Sequence, residues 1–160
     1  MNKTNRMVVL REVTRENFRE CINLKVAADQ ELNVADNLFS IAESKVNPLL
    51  TPLVIYDRCI LGREPRKDEP MVGFLMYQKM EGVGFITRLM IDAKYQNLGY
   101  GKSAMLELIR RLKMMPDIEF IGTSVTKGND YVNKFYRDLG FVDAEKLDER
   151  EFYLKLDWEV

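Results

Sequence analysis

The run Gln96-Asn97-Leu98-Gly99-Tyr100-Gly101 joins an apolar, strand-like stretch to the start of a helix, and that junction limits the folds open to this chain. Val83 to Ile91 is rich in β-branched and aromatic residues, whereas Gly101 to Met114 repeats apolar side chains at helical spacing. Gly99 and Gly101 expose backbone N–H groups with no Cβ in the way, at a helix N-terminus whose dipole favours anions. A pyrophosphate group suits such a cradle. On the glycines alone, a plain turn before an ordinary helix suits it equally well.

Spacing separates the known phosphate loops. The pattern G-x-x-x-x-G-K-[ST] is met by Gly101-Lys102-Ser103, but its first glycine falls on Gln96, so the loop lacks the residue that starts its turn. The dinucleotide fingerprint G-x-G-x-x-A fits Gly99, Gly101 and Ala104, yet it follows its strand directly. Here Ala93 to Leu98 intervenes, and the 59 residues after Gly101 leave little room for a doubly wound sheet.

Size and charge narrow the field. At 160 residues and 46% hydrophobic, the chain reads as one domain with a substantial core. Its 24 basic and 25 acidic residues are interspersed, which disfavours nucleic acid or a membrane surface as partner. Met1 to Leu10 lacks the apolar core of a signal peptide, and no run approaches the roughly 18 apolar residues of a membrane span, so a cytoplasmic location is expected. Cys21 and Cys59 fit no metal or redox spacing and are expected to be buried thiols.

The chain contains no histidine. Ser-His-Asp and Cys-His catalysis are therefore closed to it, and two cysteines cannot complete a structural zinc site, so no metal is expected. Proton transfer falls to carboxylates, tyrosine, lysine, backbone and water.

Along the chain, Val8 to Val13 reads as a strand and Glu16 to Ala28 as a helix capped by Thr14. Asn33 precedes a second helix that runs to about Val46, where Asn47-Pro48 stops it. Leu53 to Tyr56 begins a strand, and the charged, proline-bearing Arg63 to Pro70 reads as an exposed hairpin turn. Met71 to Met80 and Val83 to Asp92 form strands around Glu81-Gly82. After the Gly101 helix come a strand at Ile118 to Val125, a helix at Asp130 to Leu139, and short strands around Phe141 and Phe152 to Leu156.

That order, with two motifs, resembles the GNAT (Gcn5-related N-acetyltransferase) superfamily over essentially the whole chain. Its [QR]-x-x-G-x-[GA] loop is matched by Gln96, Gly99 and Gly101 after a strand ending Met90-Ile91-Asp92. Its N-x-x-A-x-x-[LF]-Y-x-x-x-G-F segment is similar to Asn129 to Phe141, with Val132 in place of the small residue. The resemblance implies an α/β (α+β) fold: a mixed, mostly antiparallel central sheet flanked by helices, with a splayed acetyl-CoA cleft. It also implies a single N-acetyltransferase domain over residues 1–160.

Acetyl-CoA is the co-substrate so implied. The N–H groups of Asn97, Leu98, Gly99, Tyr100, Gly101 and Lys102 would hold its pyrophosphate, with the side chains of Gln96 and Lys102 adding hydrogen bonds or charge. Backbone groups of Leu89, Met90 and Ile91 would pair with the amide-bearing pantetheine arm. Tyr136 would donate a proton to the leaving thiolate. Asn129, two helical turns earlier, would serve the cofactor or a water, and is equally suited to cap its helix.

A narrower similarity points to the acceptor. Asn37 to Lys45 and Arg88 to Asp92 resemble the corresponding segments of bacterial spermine/spermidine (diamine) acetyltransferases. This implies a small polyamine acceptor, with Asp36, Glu43 and Glu81 as carboxylates that would receive it. On charge alone a solvated acidic face explains them as well. Members of the resembled family often pair through late strands, which makes Phe152-Tyr153-Leu154 a candidate homodimer interface; a buried edge strand explains the segment as well.

Overall fold

The computed structural model describes residues 7–31, 35–58, 63–146 and 151–158, without the side chains of 145, 146, 151 and 152. In chain order it comprises β1 (Val8–Glu12), α1 (Phe18–Asn23), α2 (Asn37–Val46), β2 (Leu50–Asp57), β3 (Met71–Met80) and β4 (Gly82–Ile91). These are followed by α3 (Tyr100–Lys113), β5 (Ile118–Thr126), α4 (Asp130–Asp138), β6 (Val142–Lys146) and β7 (Glu151–Asp157).

The strands form one seven-stranded sheet in the order β1-β2-β3-β4-β5-β7-β6. Every neighbouring pair is antiparallel except β4 and β5. A parallel pair needs a crossover, and α3 supplies it. Tyr100, Ala104, Met105, Leu108, Ile109 and Leu112 recur at helical spacing and face the sheet beside Ile86, Ile121 and Leu154. Arg110, Arg111 and Lys113 fill the last turn of α3, where the helix dipole favours cations. On the opposite face α1 and α2 cover Val54, Phe74, Met76 and Met90.

Most strands fall where the sequence places them, and the first helix does not. It ends at Asn23 rather than Ala28, because Leu24 turns extended and Lys25 is tied to the end of β4. Lys25 N–H donates to Asp92 Oδ2 at 3.0 Å, and Ala93 N–H donates to Lys25 O at 2.8 Å. Its N-cap is Asn17, which exchanges hydrogen bonds with Thr14. The second helix starts at Asn37 with Asp36 as its cap, and Asn33 lies outside the described residues.

β2 is longer than expected and includes Pro52. Lys79 N–H donates to Leu49 O, which sets the phase of the β2–β3 ladder so that the Pro52 nitrogen points away from β3. β1 ends opposite Leu53, so no strand needs the missing donor. β7 lies between β5 and β6, so both of its backbone edges are occupied. β7 therefore offers no free backbone edge to a second copy. Cys21 is buried, which pushes its thiol up to about 12, and Cys59 lies outside the described residues. Among the described residues no helix is long and apolar enough to cross a membrane.

Candidate active site

The sheet opens at one point. β4 and β5 pair from Gly82↔Ile118 as far as Ile86↔Thr123, then part. On its other side β4 stays paired with β3 to Ile91, while β5 runs on with β7 to Thr126. The cause is a bulge: Met76 faces Arg88 and Tyr77 faces Ile86, which leaves Thr87 as the extra residue. A bulge bends its strand and raises the local twist. Thr87 Oγ1 donates to Met76 O at 3.1 Å and pins the bend.

The backbone phase decides which groups face the gap. Asp92 N–H donates to Val72 O, and Gly73 stands opposite Ile91, so Leu89 and Ile91 turn their N–H and C=O groups away from β3 and toward the fork. Met90 is the correction. Its backbone pairs with Phe74 of β3, and its side chain is buried against α1 and α2 with Asn37 Nδ2 3.7 Å from its sulfur.

Beyond Ile91 the chain forms a braced loop. The Asp92 carboxylate accepts from Lys94 N–H and Lys25 N–H, both at 3.0 Å. Gln96 Nε2 donates to Ile91 O at 2.9 Å and to Gln30 Oε1 at 2.8 Å. The Gln96 amide therefore braces the loop, which corrects its expected contact with pyrophosphate. Asn97 and Gly99 are left-handed, with φ of 63° and 91°, and they turn the chain into α3.

The first intrahelical bond there is Ser103 N–H to Gly99 O at 3.1 Å. The N–H groups of Tyr100, Gly101 and Lys102 precede it at the positive end of the helix. Tyr100 anchors this end by donating from its phenol to Asp57 Oδ2 at 2.9 Å. Gly101 lies against α4, where a Cβ would stand 3.6 Å from the Phe135 ring.

Tyr136 sits at the apex of the fork. Its ring meets Phe135 and Phe141 edge to face, and its hydroxyl lies near the side chain of Thr123, the last β5 residue paired with β4. Burial pushes the phenol up to about 12, against a smaller downward pull from the Thr123 hydroxyl. It stays protonated at neutral pH. Asn129 caps α4 by accepting from Val132 N–H at 3.4 Å, so its oxygen is engaged by its own helix.

The three expected acceptor carboxylates do not converge. Asp36 accepts from Phe39 N–H at 2.7 Å as the cap of α2. Glu43 lies beside β4 with Arg88 Nη2 at 3.9 Å, so a cation already faces it. Glu81 occupies the β3–β4 turn, five residues before Ile86 and roughly 16 Å from the fork at strand rise. Thr87 and Thr123 were not singled out from the sequence. The polar pair Thr87-Arg88 inside an apolar strand is the one sign of the bulge, and nothing local marks Thr123.

The sequence profile described as the acetyltransferase (GNAT) family matches residues 37–141, which span α2 through α4 and stop just before β6. The chain belongs to the acetyltransferase (GNAT) family. No curated protein sequence matches it. GNAT structures share its fold across nearly its whole length. The PaiA N-acetyltransferase of Thermoplasma acidophilum in complex with coenzyme A is 16% identical, covers 95% of this chain and 99% of its own, and superposes with a TM-score of 0.68. The spermidine N-acetyltransferase of Vibrio cholerae in complex with CoA and spermine is 15% identical, covers 94% and 95%, and gives 0.65. NAA60 of Arabidopsis thaliana, in complex with a bisubstrate analogue, is 10% identical, covers 94% and 98%, and gives 0.66. The seven-stranded GNAT sheet and its flanking helices are thus the fold expected from the sequence.

Proposed function

We propose that this GNAT protein transfers acetyl directly from acetyl-CoA to a primary amine in a ternary complex, as a single domain over residues 1–160. The observation that carries the proposal is the fork beyond Ile86↔Thr123, with a run of helix N-terminal N–H groups past one arm and a protonated tyrosine at its apex. Leu89 and Ile91 N–H would pair with the amides of the pantetheine arm. The N–H groups of Tyr100, Gly101 and Lys102 fit pyrophosphate, and the Lys102 side chain adds charge. When an amine displaces the thiol, the sulfur takes negative charge, and Tyr136 is the group we assign to give it a proton.

The attacking amine must be neutral. An alkylammonium has a pKa of about 10.4, so the free base at pH 7 costs roughly 4.6 kcal/mol. Partial desolvation lowers that cost, and a water chain ending on a backbone carbonyl or carboxylate completes the proton's exit. The acceptor class we take is a polyamine. The Vibrio cholerae relative, a spermidine N-acetyltransferase described with spermine, supports it, as does the presence of Glu43 beside β4.

Thermal-shift titration tests the cofactor. Acetyl-CoA raises the melting temperature, and ATP and NAD do not. Stabilisation by either nucleotide without acetyl-CoA would overturn the assignment.

A further inference from the structure

Among the described residues, one face of the sheet is only half covered. On the side away from α3, α1 and α2 pack over β2, β3 and Met90. Over the first half of β4, β5 and β7 lies a groove of about 540 Å³, to which neither helix contributes a lining residue. Its walls include Val83, Phe85, Phe120, Ala144, Tyr153 and Lys155.

A missing side chain shapes its floor. Phe85 of β4 pairs with Gly122 of β5, and a Cβ on Gly122 would stand 3.2 Å from Phe85 Cδ2. With no Cβ there, the rings of Phe85 and Tyr153 meet edge to face across β5, with centroids 5.6 Å apart. Phe85↔Gly122 is followed at once by Ile86↔Thr123, the last pair before the fork. The groove therefore ends where the fork begins. Tyr136 and α3 reach the same point from the opposite face.

Chemically the groove is carbon. Lys155 is its one charged lining residue among those described, and that ammonium is 2.9 Å from Asp157 Oδ2 and lies over the Phe120 ring. No carboxylate lines it among the described residues. The volume falls within the ~300–1,000 Å³ of small-molecule sites, where apolar walls and a few polar groups are the rule.

We propose that this groove holds the non-reacting hydrocarbon body of the acceptor, so that the preferred acceptors are amines carrying an alkyl or aryl chain of several carbons. The proposal rests on the transferase reading of the fork, because it is the fork that fixes where the amine end must lie. It narrows the polyamine reading: a further ammonium group would have to stay outside these carbon walls, so an uncharged hydrocarbon body is preferred. Phe85 and Tyr153 then set specificity through the apolar surface they present.

The test is a series of linear primary amines from propyl to octyl, read both as kcat/KM in an acetyl-CoA thiol-release assay and as Kd by calorimetry. Both improve by about fourfold per added methylene, the value of one buried CH₂. Ala144→Phe, which fills the groove from β6, reduces the gain to less than twofold per carbon. A flat series in the unaltered chain overturns the proposal without recourse to any variant. Chain-length-dependent Kd with no turnover of any amine would keep the groove and remove the transferase reading. A concentration-dependent dimer broken by Ala144→Phe, together with a flat series, would assign the groove to a second copy and overturn the proposal.

Discussion

The Tyr136 hydroxyl lies near the side chain of Thr123, and Thr123 is the residue at which β5 loses its pairing with β4. Thr123 Oγ1 also donates to Ile86 O at 3.2 Å, so one small cluster joins α4 to both arms of the fork at its apex. The geometry ties the candidate acid to the place where the sheet opens rather than to the loop that would hold phosphate.

Tyr136→Phe removes the hydroxyl and keeps the ring that packs on Phe135 and Phe141. We expect kcat to fall by about 10²-fold or more, the range for a lost general acid, with acetyl-CoA affinity within twofold. Steady-state kinetics beside calorimetric titration checks both halves. An unchanged kcat would remove Tyr136 from the chemistry.

Alkaline pH gives a second check. Tyr136 is raised in the folded chain from an ordinary value near 10 to about 12, so its contribution to stability is whole below about 10 and is lost as pH rises through about 12. Two units correspond to about 3 kcal/mol at most. Cys21, raised from 9.0 to about 12 by burial, acts in the same direction from a lower starting point. Melting temperature should therefore fall through this range more steeply in the unaltered chain than in Tyr136→Phe or Cys21→Ala. Parallel curves would show that neither group is held neutral by the fold.

The two loop glycines should respond differently to alanine. Gly99 has a φ of 91° and open space around it, so Gly99→Ala costs about 1 kcal/mol through backbone strain alone. Gly101 has no such φ, and a Cβ there makes only ordinary contact with Phe135. Gly101→Ala should leave the melting temperature nearly unchanged. Gly99→Ala, which must turn the loop N–H groups out of line, should weaken acetyl-CoA by about tenfold, an order-of-magnitude effect of one lost N–H contact to a charged group, whereas Gly101→Ala keeps its N–H at a position where the family loop takes glycine or alanine and should leave affinity within twofold. Equal acetyl-CoA affinity in all three chains would place the pyrophosphate elsewhere.

Glu43 should matter to a polyamine acceptor. Glu43→Gln removes the carboxylate beside Arg88 and should raise KM for spermidine several-fold in steady-state kinetics. An unchanged KM would remove Glu43 from the acceptor's path.

Much of this was legible in the sequence because it is local. Apolar periodicity located α3, β3 and β4, and Gly99 with Gly101 marked the turn between strand and helix. What escaped was set by distant partners. The first helix is cut short by the link from Lys25 to Asp92, 67 residues away, and propensity within Glu16 to Ala28 carries no trace of it. The bond from Gln96 to Gln30 joins segments 66 residues apart, so the local motif alone points Gln96 at a ligand. Side-chain pattern does not reveal the hydrogen-bonding phase of a strand, so it does not set Met90 apart from its neighbours. Asp36 and Glu81 were charges whose type suited a polycation and whose positions, a helix cap and a far turn, do not.

The most direct measurement is free-thiol release from acetyl-CoA across an amine panel containing spermidine, spermine, simple alkylamines, an aminoglycoside and a peptide with a free N-terminus. The account predicts thiol release that depends on added primary amine and collapses in Tyr136→Phe. Acetyl-CoA binding with no amine-dependent release anywhere on the panel would contradict it and leave an acyl-CoA-binding module in its place.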